Sequence, residues 1–201
     1  MNTLDPTIEA YLRSTIFPDM EHGRPNWDVP HTQAVVAYIK KIVAASPELQ
    51  LDASVLIIAA YAHDWGYSGL FAAGRPITFA ENLDQKATHM RLGSEKIKTL
   101  LQDSHFAFLT PVQKERIVHL VAVHDDLDNL HDTDELVLME ADTLGMTDPD
   151  AVTPTHTKAE FEAWRVRTER ARIARFITPY GKQKIHELMA RREQFYAHRR
   201  R

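Results

Sequence analysis

Residues 53–62 read Ala-Ser-Val-Leu-Ile-Ile-Ala-Ala-Tyr-Ala and run directly into His63 and Asp64. A helix formed by this stretch has no polar face, which is typical of a helix buried on all sides. The stretch therefore predicts a central helix whose end presents His63 and Asp64 from the core. An unpaired aspartate at that position is costly, and metal coordination is one of the few ways to hold it there.

The sequence on both sides of this stretch predicts more helices and no lasting period-two pattern. Pro18 is expected to end the first helix, and Thr110 and Thr157 are helix-start signals. Residues 65–87, with three glycines and a proline, are expected to form a long loop that sets substrate choice. Helices are predicted at about residues 5–17, 28–46, 52–63, 89–101 and 110–124, and onward from 157 and 178. A further apolar run at 136–139 leads to Asp142 on a segment that also reads as helix. The predicted fold class is all-α.

Composition limits the classes of protein that fit. The chain has 201 residues, 44% of them hydrophobic, so it can bury a core as a single domain. It has no cysteine, which excludes disulfide scaffolds, thiolate metal sites and cysteine catalysis. We find no signal peptide and no apolar stretch of membrane-spanning length. These features favour a soluble cytoplasmic protein without a membrane partner.

Charge is unevenly distributed, although the net charge is only −4. Basic residues dominate the C-terminal part, which ends in Arg199, Arg200 and Arg201. No nucleic-acid-binding motif accompanies them, and cations near a helix C-terminus complement the helix dipole. The sequence therefore argues against a nucleic-acid partner and leaves homo-oligomerisation open.

The most informative pattern is a series of histidines and aspartates that all lie on predicted helices. A helical bundle can direct side chains from several helices to one interior point, where they bind metals. Histidine nitrogen and carboxylate oxygen are ligands for Mn, Fe, Zn, Co or Ni, and the pattern does not choose among these ions. The candidate metal ligands are His31, His63, Asp64, His89, His124 and Asp142.

With these residues in place, the chain resembles the HD-domain superfamily of metal-dependent phosphohydrolases. The match rests on a lone histidine, the His63-Asp64 doublet within residues 62–66 and a distant aspartate within residues 140–144. The resemblance implies a single HD-type helical domain over residues 1–201, with a metal-binding core at about 28–146 and flanking helices at 157–199. It also implies that His31, His63, Asp64 and Asp142 are the core metal ligands.

His89 and His124 extend this minimal set, as in family members that bind two metals. With them the resemblance implies a dinuclear site in which Asp64 bridges both ions and acts in catalysis, as a ligand or as a proton acceptor. Without them the site holds one ion, and the two histidines contact substrate phosphate or cap helices. The His-His-Glu and Gly-Tyr-Pro signatures of the cyclic-di-GMP phosphodiesterase branch are missing, which argues against that substrate.

Three cations near His89 are candidate substrate-binding residues, because a cation can neutralise a phosphate. They are Arg75, Lys86 and Arg91, and the alternative for each is a solvated surface charge. Tyr67 is a candidate hydrogen-bond donor from the loop. Asp128 is a candidate partner for the His124 ring.

Three functions fit this sequence. The leading hypothesis is a metal-dependent phosphohydrolase that acts on a small phosphate ester or nucleotide through metal-activated hydroxide. The second is a di-iron HD-domain oxygenase that acts on a small hydroxylated or phosphonate substrate, because the same ligand pattern serves both branches. The third is a non-catalytic protein that binds a nucleotide or partner.

Overall fold

The computed structural model describes residues 3–72, 77–154 and 157–198. Within these ranges the chain is all-α, as predicted, and contains no strand. None of the helices there combines the length and the apolar character needed to cross a bilayer. The helices are α1 (Pro6–Met20), α2 (Asp28–Ala45), α3 (Ala53–Ala62), α4 (Phe79–Asp84), α5 (Lys86–Leu100), α6 (Pro111–Val123), α7 (Thr133–Thr147), α8 (Lys158–Ala171) and α9 (Pro179–His198).

Helix α3 is the centre of the bundle. Nine of its ten residues are buried, and it packs against α1, α2, α5, α6 and α7. Asp52 caps it by accepting hydrogen bonds from the backbone N–H groups of Ser54 and Val55, at 3.0 and 3.1 Å. The prediction of a central helix without a polar face is confirmed.

Two boundary predictions are wrong. Helix α1 continues through Pro18 to Met20, because proline removes only one backbone donor and tertiary contacts hold the last turn. Met20 is buried there, and Asp19 accepts a hydrogen bond from the Trp65 indole at 2.6 Å. The second error lies in residues 65–87, which contain α4 and the start of α5. The sequence carried a signal for α4, a capping box formed by Thr78 and Glu81.

A short 3-10 turn, Trp65–Tyr67, follows the doublet and lies directly against α5. A Cβ atom at Gly66 would stand 1.8 Å from the carbonyl oxygen of His89 and 2.6 Å from the backbone nitrogen of Gly93. Only glycine permits this main-chain contact. Because Asp64 precedes the turn and His89 lies on α5, the contact fixes the spacing of two candidate ligands.

We expect Gly66→Ala to lower the free energy of unfolding by roughly 3 kcal/mol or more, because the backbone of α5 must move away. Gly69→Ala is the matched control. Gly69 has φ +81°, and a Cβ added there would meet no atom within 4 Å, so only backbone strain of about 1 kcal/mol is expected. Urea unfolding measures both, and equal losses would contradict the close-contact explanation.

Glu135 is a buried carboxylate at the start of α7, 5% exposed. It accepts hydrogen bonds from the backbone N–H groups of His131 and Asp132 at 2.8 and 3.0 Å, and from His119 Nε2 at 2.7 Å. Burial raises the pKa of Glu135, but these hydrogen bonds outweigh burial and lower the pKa to about 2. Glu135 therefore stabilises the fold in its ionised form.

Glu135→Gln should lower the free energy of unfolding by about 2 kcal/mol at pH 7. The folded-state pKa lies below the ordinary 4.5, so the contribution is complete above pH 4.5 and is lost as pH falls toward 2. Urea unfolding at several pH values should show that the free energies of unfolding of the wild-type protein and the variant become equal in acid. The exposed Glu95→Gln serves as control, with a change within about 0.5 kcal/mol. A difference that stays constant with pH would exclude an ionised Glu135 as the cause.

Candidate metal centre

The six candidate ligands converge at one end of α3. His63 and Asp64 follow its last turn, and the other four arrive from α2, α5, α6 and α7. All six side chains are buried, with residue exposures of 5% or less. They form two groups, each with donor atoms close enough to hold a metal ion, namely His31, His63 and Asp142, and Asp64, His89 and His124.

The first group is built around two ring nitrogens. His31 Nε2 lies 3.2 Å from His63 Nε2 and 3.0 Å from Asp142 Oδ1. His63 Nε2 lies 3.8 Å from the same carboxylate oxygen. Three donor atoms from α2, α7 and the end of α3 therefore face one point.

The second group repeats this arrangement with His89 and His124, whose Nε2 atoms are 3.2 Å apart. Asp64 lies between the two histidine pairs. Its Oδ1 is 3.6 Å from both His89 Nε2 and His124 Nε2. Its Oδ2 is 3.4 Å from His31 Nε2 and 3.3 Å from His63 Nε2. Each oxygen of this one carboxylate thus faces a different pair.

Backbone carbonyls orient three of the rings. His63, His89 and His124 donate a hydrogen bond from Nδ1, to carbonyl oxygens at 2.8, 3.2 and 2.9 Å respectively. A carbonyl can only accept, so Nδ1 carries the proton and Nε2 is left to bind a ligand. The carbonyl that orients His124 is that of Val121, so Asp128 does not have the role predicted from the sequence.

These distances fit metal coordination. Two nitrogen ligands at about 2.0–2.1 Å from one ion lie about 3 Å apart in tetrahedral or octahedral geometry. The Nε2–Nε2 distance is 3.2 Å in both pairs. In the second group, His89 and His124 both donate from Nδ1 to carbonyls, so their Nε2 atoms face each other and a divalent ion could bind both. The two groups could therefore hold metal ions, and the donor set leaves the identity of the metal open.

Electrostatics set the charge of each donor before a metal binds. Burial raises the pKa of Asp64, but the charges of Arg24 and His63 outweigh it, so the pKa lies well below its usual range. The pKa of His63 is lowered by burial and raised more strongly by Asp64 and Asp142, reaching about 9. For His89, burial and the neighbouring His124 lower the pKa to about 3. At neutral pH Asp64 is therefore ionised and His89 uncharged, whereas His63 is protonated and must release that proton when it binds a metal.

Two arginines that the sequence did not single out bind the carboxylates of the centre. Arg24, in the loop before α2, donates to Asp64 and also pairs with Asp28, with Nε 2.6 Å from Asp28 Oδ1. Arg172, just after α8, donates to Asp142 Oδ2 at 2.7 Å. Both are far in sequence from the ligands they bind, and no spacing pattern could have revealed them.

Tyr67 lies on the wall of the centre, but its ring is what contacts the candidate ligands. The ring stacks on His89 with centroids 4.0 Å apart, and the Arg24 guanidinium carbon lies 3.9 Å from the tyrosine centroid. These contacts restrict the rotation of the His89 ring.

A cavity of about 1000 Å³ opens beside the centre. Lys86 lines it, with Nζ 2.7 Å from Asp125 Oδ2. Arg91 does not line it and instead pairs with Glu95 at 2.7 Å on the exposed face of α5. Arg91 is two positions after His89, which is about 200° around a helix, so the side chains face opposite ways. Arg75 lies outside the described residues.

No family model, curated protein or solved structure matches this chain. The functional assignment therefore stands on the geometry of the side chains.

We expect the protein to bind about two divalent ions per chain when it is saturated with Mn²⁺ and desalted. His89→Gln and His124→Gln should each reduce this to about one ion, because each removes a nitrogen donor from the second group. His186→Gln, an exposed histidine on α9, is the matched control and should keep both ions. Elemental analysis gives the stoichiometry. Equal losses in all three variants, or no bound metal at all, would contradict the assignment.

Proposed function

We propose that this protein is a metal-dependent phosphohydrolase of the HD-domain type. The observation that carries the proposal is Asp64, whose two carboxylate oxygens each face a different histidine pair at 3.3–3.6 Å. A carboxylate placed in this way suits two neighbouring ions. Two such ions lower the pKa of a bound water and stabilise the attacking and leaving oxygens of a phosphoryl displacement.

Asp64 acts in this proposal by holding the site together. Each of its oxygens faces one histidine pair, so Asp64 would serve as the ligand that two ions share. Its role as a proton acceptor stays a prediction, since each carboxylate oxygen has a second lone pair. With Asp64 shared, the first group has four protein donors (His31, His63, Asp142 and Asp64) and the second has three, so the second is the more open of the two.

The charge of the cavity supports an anionic substrate. Among the described residues, five Lys or Arg and four Asp or Glu line it, a net charge of +1. Two divalent ions would raise this to +5, which strongly favours a phosphate over a neutral or cationic ligand. The volume of about 1000 Å³ suits a small molecule, such as a phosphate ester or a nucleotide, and is too small for a polymer.

Lys86 is the residue we propose for binding phosphate within this cavity. It sits one turn before His89 on the same face of α5, and its side chain is 32% exposed. Its pairing with Asp125 holds the ammonium beside the centre. Arg24 also lines the cavity and holds Asp64 and Tyr67 in position.

The test uses protein stripped with a chelator and reloaded with Mn²⁺, Zn²⁺, Co²⁺, Ni²⁺ or Fe²⁺, assayed against a panel of phosphate esters and nucleotides. We expect hydrolysis that requires metal. Asp64→Asn should lower kcat at least 100-fold, because the shared carboxylate is lost. Lys86→Ala should raise KM about tenfold. Arg91→Ala is the matched control and should leave both constants unchanged, since Arg91 lies outside the cavity.

A different result would redirect the assignment. If no reloaded protein releases phosphate, and the iron form consumes oxygen with a hydroxylated or phosphonate substrate, the protein is an oxygenase with the same ligand set. If neither reaction occurs while metal is bound, the centre serves binding alone.

A further inference from the structure

Arg192 on α9 is a buried cation on the wall of the cavity. It is 3% exposed, and it donates from Nη1 to the backbone carbonyl of Met146 at the end of α7. Its Nε is buried without a hydrogen-bond partner. A buried donor without a partner is costly, so the protein does not satisfy all the donors of this guanidinium.

Arg192 differs from other cations that line the cavity. Arg24 and Arg172 each pair with two carboxylates, and Lys86 pairs with Asp125. Within residues 3–72, 77–154 and 157–198, no carboxylate lies at ion-pair distance from Arg192.

Asp148 is near enough to influence Arg192 electrostatically, but it binds other side chains. Asp148 accepts a hydrogen bond from Tyr38 at 2.7 Å and lies 3.8 Å from Arg191. Burial lowers the pKa of Arg192 to about 10, and its electrostatic interactions with Tyr196 and Asp148 only partly oppose this. The guanidinium is therefore charged at neutral pH without a matched counter-ion.

The position of Arg192 relative to the metal centre follows from α7. Met146 is four residues after Asp142, so it lies on the same face about 6 Å further along the helix. Arg172 binds Asp142, and Arg192 binds the carbonyl of Met146. The two arginines thus contact α7 one helical turn apart beside the same cavity.

Trp164 on α8 completes the surroundings of Arg192. The Arg192 guanidinium carbon lies 5.3 Å from its ring centroid, and both residues line the cavity. An aromatic face beside a guanidinium leaves the planar edge of the guanidinium to bind an anion.

We propose that Arg192 forms an anion-binding subsite for a second negatively charged group of the substrate, a carboxylate or a second phosphate. This rests on the proposed function, in which the reacting phosphate lies at the metal centre. The substrate class is therefore a small phosphate ester that carries a second anionic group.

The alternative role for Arg192 is purely structural, as a cap on the C-terminal carbonyls of α7. Arg192→Gln separates the two roles, because a glutamine amide can still donate to the Met146 carbonyl but carries no charge. Arg192→Lys restores the charge. If Arg192 only caps α7, the affinity of the protein for its ligands should not depend on a second anionic group.

The experiment measures, by calorimetry, the binding of phosphonates to the metal-loaded protein. Butylphosphonate carries one anionic group, whereas 4-phosphonobutyrate and butane-1,4-diylbisphosphonate carry a second group of each kind. We expect the better of the two to bind wild-type protein at least tenfold more tightly than butylphosphonate. Arg192→Gln should reduce this preference to less than twofold with an unchanged affinity for butylphosphonate, and Arg192→Lys should restore most of it.

The absence of a preference in the wild-type protein, or an equal loss of affinity for all three ligands in Arg192→Gln, would overturn the subsite. The tighter binder of the two ligands that have a second anionic group shows whether this group is a carboxylate or a phosphate. Hydrolysis of the panel of phosphate esters and nucleotides by the same preparation, with 4-carboxybutyl phosphate included, tests the proposed function separately. A preference that depends on Arg192, without hydrolysis, would keep the subsite and reject the phosphohydrolase.

Discussion

The buried carboxylate of Asp64 is the constraint on which the rest of the centre depends. It follows a helix with no polar face, so the interior that receives it has a low dielectric constant and an uncompensated charge there would be prohibitive. The surrounding structure compensates that charge from two directions, with Arg24 on one side and the protonated His63 on another. The same pattern recurs at Asp142, which is held by Arg172 and His31. The result is a charged cluster inside an otherwise apolar bundle.

Much of the fold could be predicted because local signals were strong. The capping boxes at Thr110 and Thr157 and the unbroken apolar run of α3 each describe a helix without help from the rest of the chain. Predictions failed where tertiary contacts decide. Pro18 is tolerated because the turn that contains it is anchored by Trp65, and residues 79–84 form a helix within what read as one long loop.

The candidate site divides in the same way. Six histidines and aspartates were identified from their residue types and their positions on predicted helices. The fold brings them together because a helical bundle directs side chains from several helices to one interior point. The arginines were missed because the ligands they bind lie 30 or more residues away and arginine is ordinary at a surface. Arg91 was misassigned because proximity to His89 in sequence was taken as proximity in space, whereas the helix turns it outward.

The main-chain contact at Gly66 has a consequence for selectivity. Turn and helix touch backbone to backbone there, so the separation between Asp64 and His89 does not depend on flexible side chains. A centre of this kind cannot easily widen or contract to suit its occupant. Ions that prefer similar donors then differ in how well their radius matches the spacing of the ligands, and the backbone sets that spacing. Discrimination among metals would therefore depend on the backbone contact at this glycine as well as on the chemical type of the ligands.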